Sequence, residues 1–194
     1  MLTVLDGSMG HELKLRGLAD GTFMPGLVAN IDHPADVTAV HAEYVAVGAD
    51  VITTNSFVAT RSALRAHGRE AELATLLHAA TRCARDAADA APRPILVAGC
   101  VPPLRECYHP ELVSRDRAVM VDEYAAICAE LAPRVDLFLC ETLSTIAEAE
   151  AACAATAPLG KPTWLGLTLT DDETATLRGG ESVRASTHTV PPGA

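Results

Sequence analysis

The chain has 194 residues, 49% of them apolar, and 25 acidic against 15 basic side chains give a formal net charge of -10. That is the composition of a folded domain with a sizeable core, and it excludes disordered, collagenous and repeat-built chains. An acidic surface repels phosphate backbones and anionic lipid, so small molecules are expected as partners in place of nucleic acid or membrane.

Short apolar runs recur along the chain, each separated from the next by a helical segment. Residues 2–5, 50–57, 94–100, 136–142 and 162–169 are apolar nearly throughout instead of alternating, the pattern of strands buried on both faces of a parallel sheet. Between the first two runs, Val37, Val40, Tyr44 and Val47 recur at helical spacing, with Pro34 in the first turn and Gly48 as the stop. Gly68 marks a break before the stripe Leu73, Leu76, Leu77, Ala80, Ala84 and Ala87. Met120, Tyr124, Ile127 and Leu131 form the next helix. Thr145 and Glu148, at capping-box spacing, open the last one.

Strict alternation of five strands with helices predicts an α/β fold, either a (β/α)8 barrel or an open doubly wound sheet. The turn Asp6-Gly7-Ser8-Met9-Gly10 is not a dinucleotide fingerprint, which favours the barrel. A complete barrel takes about 250 residues, so the expectation is a TIM-barrel type truncated after about five strands. It would occupy residues 1–184, with 185–194, where Ser, Thr, Pro and Gly replace the apolar rhythm, as a disordered tail.

No run reaches the ~18 apolar residues of a membrane span, and no basic start or signal core follows Met1. A cytoplasmic protein is expected, with its six cysteines reduced.

In a parallel barrel, reacting groups gather where the strands end. Asp6, Gly7 and Ser8 follow the first run, Thr53, Thr54, Asn55 and Ser56 the second, Cys100 the third, and Cys140, Glu141 and Thr142 the fourth. Singly, each is explained as a turn, a loop hydrogen bond or a helix lead-in. Together they make a mouth with two carboxylates and several hydroxyl and amide groups, which suits an amino acid.

The ordered strings from Asp6 to Leu13, Gly48 to Phe57, Ala98 to Pro103, Cys107-Tyr108 with Pro110, Cys140 to Leu143, Glu148-Ala149, and Leu177-Arg178 with Gly180-Glu181 resemble the homocysteine S-methyltransferase family. The resemblance implies a zinc-dependent barrel that moves a methyl group from a donor to homocysteine, giving methionine. A sulfonium donor, S-methylmethionine or S-adenosylmethionine, is expected. It further implies that Asp6, Gly7 and Ser8 form part of the homocysteine pocket, that Thr54 and Asn55 line its mouth, and that Glu141, with Thr142 beside it, receives the substrate ammonium. The family's first loop commonly has a second Gly where Ser8 stands and a Thr where His11 stands. Its three zinc-ligating cysteines would fall beyond Ala194, so no metal ligand and no catalytic residue is assigned within this chain, and Cys100, Cys140, Cys107 and His109 are a poor substitute set. The chain alone is therefore expected to have little methyl-transfer activity. The alternative is an inactive fragment that binds an amino acid or assembles with a separate carboxyl-terminal piece. Two open sheet edges predict association, as a homo-oligomer or with that complementary fragment.

Overall fold

A computed structural model describes residues 2–19, 23–172 and 174–186. Four strands, β1 (Val51–Thr53), β2 (Leu96–Val101), β3 (Leu137–Leu143) and β4 (Thr163–Leu167), form one parallel sheet in the order β1-β2-β3-β4. The helices are α1 (Met9–Leu15), α2 (Phe23–Asp32), α3 (Pro34–Ala46), α4 (Arg61–Ala66), α5 (Leu73–Asp89), α6 (Arg117–Leu131), α7 (Ile146–Thr156) and the short α8 (Val183–Ser186). The α/β class with a parallel sheet is thus as expected. None of the described helices is long and apolar enough to cross a membrane.

The expectation of five strands needs correction. The run at residues 2–5 makes only an isolated parallel bridge, Leu5 to Val51. Its neighbouring amide, Val4 N, donates to the Asp50 carboxylate at 3.0 Å instead of to a strand carbonyl, and Leu2 is 84% exposed. A strand paired on one side, with a side-chain acceptor capturing a ladder donor, does not extend. Two helices, α1 and α2, precede the one expected before β1. Val47, assigned to the helical stripe, lies just past α3 and is exposed. The tail expected at 185–194 is divided: Ala185 and Ser186 close α8, and 187–194 lie outside the described residues.

The two faces of the sheet follow the period of two. Ile52, Val97, Val101, Phe138 and Cys140 pack toward the helices, in one cluster with Leu76, Leu77, Tyr124, Ile127 and Leu131. Gly99 belongs to this face, where an added Cβ would sit 3.3 Å from Leu131 and Val135. Val51, Ala98 and Leu137 fill the opposite, inner face, with Leu139 and Trp164 against them. Continuing along that inner face toward the carboxyl ends brings Thr53, Cys100 and Glu141 to one rim. A second cluster, Met9, Leu13, Ala29, Val37, Val40 and Cys83, docks α1 and α2 onto α3 and α5.

The capping box at α7 is present as its spacing requires. Thr145 Oγ1 accepts from Glu148 N at 3.1 Å, and Glu148 Oε2 accepts from Ser144 N, Thr145 N and Thr145 Oγ1 at 3.0, 3.2 and 3.3 Å.

Candidate amino-acid site at the carboxyl rim

A cavity of about 740 Å³ opens at the carboxyl ends of the strands. Asp6, Gly7, Ser8, Thr54, Asn55 and Glu141 all line it, so six of the seven expected site residues share one concave wall. Thr142, the seventh, does not line it. Its φ of +62°, at the register shift in the β3–β4 pairing between Cys140 and Leu143, turns the chain just after Glu141. A β-bulge that re-aims a side chain at a sheet end is a recurrent device.

Asp6 is fastened by Thr53, whose N–H and hydroxyl donate to its two oxygens at 2.8 and 3.0 Å. Burial pushes its carboxyl up to about 6; the Thr53 bonds oppose that rise, and the nearby Glu141 charge adds to it. Glu141 is also pushed up by burial, with the thiol of Cys100, 3.1 Å from Oε1, acting the other way. Among the described residues neither carboxylate is paired with a cationic side chain. Two part-buried carboxylates facing one cavity, neither of them ion-paired, make a place where a cationic ligand gains.

The first loop reaches this wall through α1. Ser8 is its N-cap, accepting from His11 N at 3.3 Å, while the Tyr44 hydroxyl donates to Ser8 O at 3.3 Å. Gly7 lets the loop pass close to Tyr44, since a Cβ there would lie 2.9 Å from its ring. His11 and Lys14 of α1 add basic groups to the same wall.

Thr54 and Asn55 are anchors as much as lining. Thr54 N donates to Ala98 O at 2.9 Å and its Oγ1 accepts from Cys100 N at 3.0 Å, stitching the end of β1 to β2. Asn55 Nδ2 donates to Gly26 O at 2.8 Å and to Asn30 Oδ1 at 3.3 Å, and Asn30 Nδ2 returns a bond to Asn55 O at 2.8 Å. This amide pair ties α2 to the rim. Asn30 was not singled out by its sequence position. A fully buried asparagine inside a helix was the available signal, and its burial is a tertiary fact.

The residues present do not fit a zinc centre. Among the described residues no three His, Cys, Asp or Glu side chains are grouped to hold a metal. Cys100 faces the cavity side, where its thiol is a donor to Glu141, whereas Cys140 points into the helix-side core. Burial pushes both thiols up, away from the thiolate a metal requires.

The parallel α/β sheet thus ends in a rim where two part-buried carboxylates, Asp6 and Glu141, share one cavity. The homocysteine S-methyltransferase family model matches residues 3–192, and the chain belongs to that family. It is 32% identical to the homocysteine S-methyltransferase of Escherichia coli strain K12, over 89% of this chain and 60% of that protein's length. Among solved structures it resembles the E. coli homocysteine methyltransferase MmuM. For the metallated form the TM-score is 0.86 at 26% identity, covering 96% of this chain and 69% of that one. For the oxidised form it is 0.88 at 25% identity, covering 99% and 70%.

Proposed function

We propose that this chain carries the amino-acid-binding part of a homocysteine S-methyltransferase barrel and seats homocysteine at the carboxyl rim. The observation that supports this best is the meeting of Asp6 and Glu141 in one cavity with no cation between them. The substrate ammonium lies between the two carboxylates. Its carboxylate is held by the backbone amides of Gly7 and Ser8, with Lys14 and His11 on the same wall. Thr54 and Asn55 keep the rim in shape. Held by its amino-acid end, the substrate has a fixed orientation, and its sulfur is presented away from the carboxylates. That is the entropic part of catalysis a binding wall supplies.

The reaction assigned to the whole enzyme is methyl transfer from a sulfonium donor, S-methylmethionine or S-adenosylmethionine, to the homocysteine sulfur, giving methionine. Zinc is implied by the family as the group that deprotonates the thiol, and the described residues do not supply its ligands.

The test is calorimetric titration of the full chain with homocysteine and with 4-mercaptobutyrate, its analogue without the amino group. Homocysteine is expected to bind and the analogue to fail, because the two carboxylates would be left unpaired beside an apolar chain. Equal binding of the analogue would overturn the proposal.

A further inference from the structure

The inner face of the sheet carries one polar contact that the amino-acid reading does not use. Cys100 lies on β2, almost fully buried, and its backbone N–H is pinned by Thr54 Oγ1 at 3.0 Å. Its Sγ stands 3.1 Å from Oε1 of Glu141 on the adjacent strand β3, where Val101 and Cys140 are in register. The thiol is the one side-chain donor bonded to Glu141 among the described residues.

We infer that Cys100 is a positioning residue for the ammonium-binding carboxylate: its thiol donates to one oxygen of Glu141 and thereby leaves the other turned to the cavity. The inference rests on the amino-acid reading of the rim. A glutamate has three side-chain torsions, and a carboxylate at the end of a strand without a donor samples several of them. One donor on a backbone tethered to two strands removes that freedom before the ligand arrives, which is how a binding group is preorganised. Burial, followed by the charge of Glu141, pushes the thiol well up, so it keeps its hydrogen and stays a donor across the working pH range. The groups facing the pair are Asp6, His11 and Lys14 across the cavity and Cys140 from the other side of β3.

The test uses the full chain and three variants, Cys100→Ala, Cys100→Ser and Glu141→Gln, each first shown to melt cooperatively. Homocysteine affinity is measured from pH 5 to 8. Cys100→Ala is expected to lose about tenfold in affinity, the scale of one hydrogen bond to a charged group. The acid limb of its binding profile is expected to move to higher pH, because the bond that favours the ionised carboxylate is gone. Cys100→Ser keeps a donor and is expected to regain most of both. Wild-type affinity and an unmoved limb in Cys100→Ala would overturn the inference, as would a Cys100→Ser variant no better than Cys100→Ala, which would show packing alone. A second readout needs no ligand. The S–H stretching band present in wild type and missing from Cys100→Ala is expected to shift in Glu141→Gln; a band that stays in place overturns the inference. If wild type binds no homocysteine, the functional reading fails, and the S–H band alone decides the inference.

Discussion

Glu141 and Glu148 stand in the same strand-to-helix segment, and burial pushes both up, although Glu148 is buried and Glu141 only partly so. Glu148 has its donors: two backbone N–H groups and the Thr145 hydroxyl converge on one of its oxygens. Glu141 has a single thiol and an open cavity. A raised carboxyl alone therefore does not separate a structural carboxylate from a binding one; the unfilled hydrogen-bonding capacity does.

Substitution separates them most sharply. Glu148→Ala leaves the Ser144 and Thr145 amides without their acceptor and is expected to cost roughly 3 kcal/mol of folding stability, read from urea unfolding. Glu141→Gln removes a carboxylate whose charge burial disfavours and is expected to lose no stability. A similar loss in both would break the contrast. In binding the order reverses, with Glu141→Gln losing about a hundredfold in homocysteine affinity, the lower range for truncating one member of a buried charge pair.

Asp6 sharpens the contrast through pH. Its carboxyl is held at about 6 in the fold against an ordinary 3.8, so between those values the folded state binds the extra proton. The stability it contributes is fully present below 3.8 and is lost as pH rises through 6. Asp6→Asn is therefore expected to be more stable than wild type by about 2 kcal/mol at pH 8. The difference should vanish below pH 4, as followed by thermal melts across pH. For the same reason homocysteine affinity is expected to fall by up to about tenfold between pH 6 and pH 5, since the ammonium must displace that proton. The smallest effect is Gly7→Ala. Its Cβ must push the Tyr44 ring from 2.9 Å, at a cost of about 1 kcal/mol, with weaker binding than the stability loss explains if the first loop shifts.

Much of this was legible in the chain. Runs without alternation marked the strands because both faces of a parallel sheet are covered, and Thr145 with Glu148 marked a helix start because that box is local. The ends of the strands located the rim. What was not legible was non-local. Residues 2–5 have the composition of a strand, but only a second neighbour would make them one. The Ser8 cap and the Met9–Leu13 spacing were available as signs of α1, whereas Pro25 and Gly26 obscured α2. The Cys100–Glu141 contact and the Asn30–Asn55 amide pair join segments far apart in the chain, and no periodicity reports them.

Strand order in the sheet is chain order, each strand pairing with the one before it. Such a sheet can be laid down one strand at a time as the polypeptide leaves the ribosome, with no earlier strand waiting for a distant mate. The acidic rim is then finished late: Asp6 precedes β1 in the chain, but it meets Glu141 only once β3 has joined, so ligand capture reports how far assembly has gone.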